Sequence, residues 1–364
     1  MNVPFFEIRR FLYEKHDLWD AAERVLRSGR FILGPEVEAF ETECAAFLNV
    51  KHAVGVSSGT DALLASLMAL GVGAGDEVLV PAFTFAATAT AVTRLGARPV
   101  FVDVRDDDLT MDVEKACALA ARRTVAAIPV HLFGAIARTQ GYDVPVIEDA
   151  AQAFGAFFGE SLPTHSFSIC HSFFPTKNLG GFGDGGLVTT HDDATAKALR
   201  ALRNHGSEVR YRHDMIGGNF RLDAMQAALL RVVLRDISRA IRARRINEMA
   251  YHERLVNLAK ARYLQLPAES TAPNQFVIRV PADRVGHSLR DALREHLAAQ
   301  RIGSEIYYPS VLPLQPCFRS LGYRPGSFPV AERAAREVLA LPIFPGLHIT
   351  EIDFVCAKIR EFFL

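Results

Sequence analysis

A chain of 364 residues, 49% of them apolar, can bury a large core and by length divides into about two domains, so a disordered protein is excluded. Its 41 basic side chains are matched by 41 acidic ones, which removes any overall field toward nucleic acid or an anionic membrane and points to a small, specifically bound partner. Apolar stretches are broken by charge or proline before membrane-spanning length, and the opening MNVPFFEIRR lacks the order of a secretion signal, so a cytoplasmic protein is expected.

Short apolar runs alternate with helical stretches and nothing repeats, which is the pattern of a parallel sheet with crossover helices. In chain order the expected strands are Ala53–Ser57, Glu77–Pro81, Pro99–Asp103, Thr124–Val130, Val144–Glu148, Ser166–Phe173 and Gly186–Thr190. Several are continuous Val/Ile/Ala runs, as in strands covered on both faces. The spacing of Leu222, Met225, Leu229, Val233, Ile237 and Ile241 then predicts one long amphipathic helix. Beyond it come a strand at Gln275–Val280, a helix over Ser288–Ala299 and a closing helix Glu351–Phe363. The expected architecture is α/β: a seven-stranded, mostly parallel sheet between helices in residues 1–230, and a smaller α+β domain in residues 231–364, on which the N-terminal helix is able to pack. Cys44, Cys117, Cys170, Cys317 and Cys356 are odd in number and far apart, with no Cys-x-x-Cys pair, so free thiols and no metal site are expected.

Open α/β sheets gather chemistry at the carboxyl ends of their strands. The first informative end is Ser57-Ser58-Gly59-Thr60, where hydroxyls meet the N–H groups of a helix start and can seat a phosphate. Taken alone, the motif is more often an ordinary Ser/Thr cap. The second is VIEDAAQ, which delivers Asp149 and then Gln152 to the rim of the sheet. A carboxylate there needs a cation, and a protonated pyridine nitrogen would supply one, with Gln152 bonding that ring's phenolic oxygen. A helix N-cap is the plainer reading of Asp149.

The third end, SFFPTKNLGGFGDGG, places Lys177 in a loop with five glycines, whose entropic cost is hard to justify unless something approaches the backbone closely. The loop has neither the order of a triphosphate loop nor that of a dinucleotide fingerprint, which disfavours ATP and NAD. A Schiff-base lysine activated by burial fits, and a surface lysine is the alternative. The fourth end, PAFTF, offers Phe85 as a ring able to stack on a cofactor or simply to pack. Gly71-Val-Gly-Ala-Gly75 precedes its strand instead of following one and reads as a turn.

With these residues in view the chain resembles the DegT/DnrJ/EryC1/StrS sugar aminotransferases, enzymes of the fold type I pyridoxal-phosphate architecture. The resemblance runs through FILGPEVEAFE, SSGTDAL, GDEVLVPAFTFAAT, VIEDAAQA, SFFPTKNLGGFGDGG and GGNFRLDAMQAALL, and continues in IYYPSVLPLQPCF and FPVAERAAREVLALPIFPGL. It implies pyridoxal 5'-phosphate as cofactor and Lys177 as the lysine that anchors it and moves the proton. It further implies Gly59, Thr60 and Ser172 as phosphate contacts, Phe85 as the stacking ring, Asp149 as the pyridine partner and Gln152 as the ring-oxygen contact. Asn219 would reach the phosphate of a neighbouring subunit, which implies a homodimer with shared active sites.

The sequence departs from the family pattern at Phe154 and Pro313, where relatives carry His, and at His171, where an aromatic residue is usual. Strand alternation turns His171 away from the cofactor, as a packed or interface histidine. The stretch Ala137–Asp143 is shorter than in relatives, and His131 reads equally as a substrate contact or a capped turn. Arg239, Arg242, Arg244 and Arg245 could meet a diphosphate but are expected on a solvated face. TKNLGGFGDGG resembles enzymes that aminate carbon 3 of the sugar, so the expected substrate is a UDP- or dTDP-linked 3-keto hexose, with glutamate as donor by analogy. The product would feed a cell-surface polysaccharide or a glycosylated natural product. Two alternatives remain: a sugar dehydratase or epimerase of the same fold, whose kind usually lacks the lysine, and a non-catalytic nucleotide-sugar-binding regulator.

Overall fold

Strands that read as unbroken apolar runs need cover on both faces, and helices provide it here. The computed structural model describes residues 1–12, 17–156, 165–281 and 288–364. The N-terminal helices α1 (Arg9–Leu12), α2 (Asp17–Ser28) and α3 (Pro35–Leu48) lead into β1 (His52–Val56), α4 (Gly59–Leu70), β2 (Glu77–Pro81), α5 (Ala87–Arg94) and β3 (Arg98–Val102). Then follow α6 (Val113–Leu119), β4 (Thr124–Ala127), β5 (Ile147–Asp149), β6 (Ser168–Ser172), β7 (Gly186–Thr190) and α7 (Asp193–Leu202).

These strands form one layer in the order β3-β2-β4-β5-β6-β7-β1. Parallel ladders join β3, β2 and β4, and also β5 and β6. Bridges Ala127–Val146 and Val130–Asp149 link β4 to β5, helped by the Asp149 N–H donating to Pro129 at 2.9 Å. β7 runs antiparallel to both β6 and β1, so the sheet is mostly parallel, as expected. The turn reading of the Gly71–Gly75 stretch also holds, with Gly71 closing α4 at φ 84° and Gly75 at φ 94°.

All seven expected strands form, and two match at both ends. The largest shifts occur at prolines, which cannot donate to a ladder. Thr124–Val130 ends its ladder at Ala127, before Pro129, and Val144–Glu148 begins only at Ile147, after Pro145. The second shift makes Asp149 the last residue of β5 itself.

The single long helix expected after Leu222 is instead two, α8 (Ala224–Leu234) and α9 (Ile237–Lys260), broken at Arg235-Asp236. Asp236 leaves helical geometry at φ −107° and ψ 5°, a helix-start position that Asp favours. Val233, Ile237 and Ile241 stay buried on one face across the break, so apolar spacing alone could not reveal it.

Past α9 lie β8 (Phe276–Arg279), α10 (Leu289–Ala299), α11 (Pro329–Glu337), β9 (Val338–Leu341) and α12 (Ile349–Phe363). β8 and β9 pair antiparallel, Phe276 opposite Leu341. β9 went unread in the sequence because four residues directly after a helix carry no period of their own. These elements share a core that includes Tyr251, Leu255, Phe276, Leu293, Leu339 and Val355, and the N-terminal segment joins it through Val3, bridged to Ile302. Arg10 ties α1 to the same region through Glu351 at 2.7 Å.

Phe276 is fully buried and stacks on Tyr251 at 4.8 Å between ring centroids. Phe276→Ala removes that payload and leaves a cavity, so urea unfolding should show a loss of about 3–5 kcal/mol.

Candidate active site

The site begins where α4 starts. Ser58 caps the helix by accepting the Asp61 N–H at 3.0 Å, while the Ser57 hydroxyl donates to the Asp61 carboxylate at 2.6 Å. The first N–H groups of a helix have no partner within it and sit at its positive end. Two glycines press the ends of β6 and β7 against this terminus. A Cβ on Gly59 would come within 2.7 Å of the Ser172 Cβ, and one on Gly186 would run into the Ser58 carbonyl. Gly59, Thr60 and Ser172 are thereby brought together as a cradle of N–H and hydroxyl groups, with the geometry of an anion seat. Ser58 is the cap, and its bond goes to the Asp61 N–H and not to those of Gly59 and Thr60.

Across the sheet, β5 delivers Asp149 into an enclosed position with 5% exposure. Residues 150–156 form turns and not a helix, so the N-cap reading of Asp149 fails. Its carboxylate accepts the Thr88 hydroxyl at 2.8 Å and the Ala151 N–H at 3.2 Å. Burial pushes its pKa up against those bonds and against the pull of Lys177 and His131. Burial acts on Lys177 in the opposite sense, lowering its amine to about 8, with Asp149 resisting. The carboxylate and the amine thus sense one another, and the surface-lysine reading is set aside.

The Lys177 loop is held from behind. Gly180 lies where any Cβ would meet the Pro175 carbonyl. Asn178 donates to the Ala272 carbonyl at 3.1 Å, and Asn274 donates to Asn178 Oδ1 at 3.2 Å and to the Thr176 carbonyl at 3.4 Å. Asn178 and Asn274 lie far apart in sequence, and only the fold shows that they brace one loop.

Gln152 occupies the rim. Its Oε1 accepts the Phe133 N–H at 2.5 Å, so Nε2 is left to face the cleft as a donor, bonding the Tyr308 hydroxyl at 3.3 Å. Phe85 is 58% exposed and tilts toward Tyr308 with ring centroids 6.2 Å apart, so its ring lies open at the rim and is not core. Tyr308 and Thr88 were missed in the sequence; the aromatic pair in IYYPS was the available signal for Tyr308.

His131 is no substrate contact, because it is fully buried. Its Nδ1 accepts the Ala137 N–H at 3.0 Å, which leaves Nε2 to donate to Glu148 at 2.7 Å, and Ser166 binds the other oxygen of Glu148. His171 is buried edge-on to Phe154 at 5.4 Å, and burial pushes its pKa down to about 3, so it is a packed, neutral histidine. Asn219 is exposed, in a segment bridged to Asn204, and among the described residues no hydrogen bond ties its side chain to the cradle. Of the four arginines expected on a solvated face, Arg239, Arg242 and Arg245 are exposed but Arg244 is buried. It falls on the helical stripe of Ile237, Ala240, Ile241 and Tyr251, a spacing that the sequence did contain.

Comparison with known proteins bears on the family and the fold. The family model for the DegT/DnrJ/EryC1/StrS aminotransferase family matches residues 13–360. A pleiotropic regulatory protein of Geobacillus stearothermophilus is 41% identical over 378 positions, covering 100% of this chain and 99% of that protein. The dTDP-3-amino-3,4,6-trideoxy-alpha-D-glucose transaminase of Streptomyces venezuelae is 42% identical, covering 99% of this chain and 96% of the relative. The crystal structure of S. venezuelae DesV in complex with a ketimine intermediate superposes with a TM-score of 0.93 at 38% identity, over 99% of this chain and 98% of that one. The chain therefore belongs to the DegT/DnrJ/EryC1/StrS aminotransferase family, whose members are pyridoxal-phosphate enzymes.

Proposed function

We propose that this chain moves an amino group from an amino acid, L-glutamate, to a UDP- or dTDP-linked 3-keto hexose, with Lys177 as anchor and proton carrier. The observation that carries the reading is the part-buried Lys177 amine within electrostatic reach of the buried Asp149 carboxylate, near the cradle at the start of α4. The residues present fit pyridoxal 5'-phosphate: Gly59 lets Ser172 close against the helix start, so that hydroxyl and N–H donors for a phosphate gather there, and the buried Asp149 carboxylate wants a cation, which a protonated pyridine nitrogen is. When bound, the cofactor supplies an aldehyde for the amine and an electron sink for the carbon being deprotonated.

The protein's own groups do the rest. Asp149, held by Thr88 and Ala151, would hold the protonated ring nitrogen of the cofactor. Gln152 Nε2 would offer a hydrogen to its phenolic oxygen, and the open ring of Phe85 would supply an aromatic face for stacking. Lys177 would be the amine that anchors the cofactor and the base that holds the moving proton, and its lowered pKa makes the free base available near neutrality. This reading takes residues 1–230 as the cofactor domain and 231–364 as the small domain. It also takes the enzyme as a homodimer, in which Asn219 of each chain reaches the phosphate of its partner. Exposed Tyr211 and Ile216, each more than 80% accessible in the chain segment that leads to Asn219, favour a covered face there.

The carbon-3 choice is supported by the 3-amino product in the name of the S. venezuelae transaminase. The name of the G. stearothermophilus relative favours a regulator. Absorption separates the two: purified protein should be coloured, bleach with borohydride and shift on adding glutamate. A colourless protein that cannot be reconstituted would favour the regulator.

Lys177→Ala should lower turnover at least about 10³-fold, read as aminated sugar nucleotide by mass spectrometry; substantial residual transamination overturns the assignment. The pH dependence has a definite sign. Because burial favours the neutral amine, capture of pyridoxal phosphate by the apoenzyme should accelerate as pH rises through about 8 and level off above it. A rate still climbing near the ordinary lysine pKa would show that Lys177 is not the part-buried amine described.

A further inference from the structure

Behind the lysine loop lies a second charged feature that the reaction does not use. Arg244, on α9, is 3% exposed and forms no ion pair among the described residues. Its Nη1 donates to the Asn274 carbonyl at 2.9 Å, while its buried Nε has no acceptor. Burial lowers its pKa to about 10, which still leaves a full cation at neutral pH. An enclosed guanidinium without an anion is unfavourable, because the interior returns nothing for its lost hydration.

Arg244 lines a cleft of about 370 Å³, counting the solvent in its mouth. The walls are the Phe6–Ile8 segment, Phe344-Pro345, Val233 and Ala240, and the back of the loop at Pro175 and Gly180. The one acid on this lining, Glu7, is already engaged by Arg9 through Nε at 2.9 Å and Nη2 at 2.7 Å.

We propose that this cleft binds a small oxyanion, a phosphate or a carboxylate, on the Arg244 guanidinium. Among the described residues neither Nε nor Nη2 has an acceptor; Nε is closed off from solvent, so contact with an oxygen of the anion falls to Nη2. The anion would rest against the Lys177 loop, where Pro175, Lys177, Asn178 and Gly180 all line the cleft, and brace it as Asn178 and Asn274 do. The site is separate from the cradle at Gly59 and needs no turnover to be seen.

The test is thermal unfolding of the protein as purified, with its cofactor, in chloride-free buffer of constant ionic strength. Inorganic phosphate is titrated in one arm and acetate in the other, which tells the two sources of oxyanion apart. The wild type should show a saturable rise in Tm with at least one of them. Arg244→Met should lose that rise and, freed of the uncompensated charge, be no less stable without anion. Glu7→Gln should keep the rise. Equal rises in wild type and Arg244→Met, no rise in either arm, or loss of the rise in Glu7→Gln would each overturn the proposal. Should Arg244→Met fail to fold, wild-type crystals soaked in bromide decide: anomalous density at the guanidinium supports the site, and its absence there overturns it. Both readouts are independent of transamination, so a colourless protein would count against the proposed reaction and not against this site.

Discussion

A buried carboxylate and a part-buried amine at the end of a parallel sheet set the terms for the rest of the molecule. Each is disfavoured by burial in its charged form, and each partly relieves the other. That balance persists only if the two are kept from drifting apart. Asp149 is fixed as the last residue of β5, and Lys177 sits on a loop clamped by two asparagines and a glycine that admits no side chain. Much of the surrounding architecture, including the cover on both faces of the sheet, holds these two elements in place.

The hydrogen bonds around the site form a graded support. Thr88 and Ala151 orient Asp149, and Phe133 orients Gln152. The turn that presents Phe133 is in turn held by His131, whose ring is locked between Ala137 and Glu148. A histidine with both nitrogens engaged and no exposure serves geometry, and its effect on the cofactor pocket passes through the turn it stiffens.

Most of the fold was legible because its strands are short unbroken apolar runs and its helices keep a clear period. What escaped reading did so for identifiable reasons. Pro129 and Pro145 moved strand ends because a missing donor outweighs an apolar run. The break at Asp236 hid beneath a continuous buried face. Lys177, Asp149 and Gln152 could be picked out because each follows a strand, and strand ends converge. Tyr308, Thr88 and Asn274 come from elements distant in sequence, and only packing brings them to the same place. Arg244 was misplaced because four neighbouring arginines read as one charged surface, although the helical period already set it apart from Arg242 and Arg245.

The orientation of Gln152 has a chemical corollary. With Oε1 turned to the backbone N–H of Phe133, the amide presents its hydrogens toward Tyr308 and the cleft. An oxygen lying there is welcomed when it has shed its proton and met less well when it has kept it. One main-chain amide at Phe133 thus sets which end of the side chain the cleft meets.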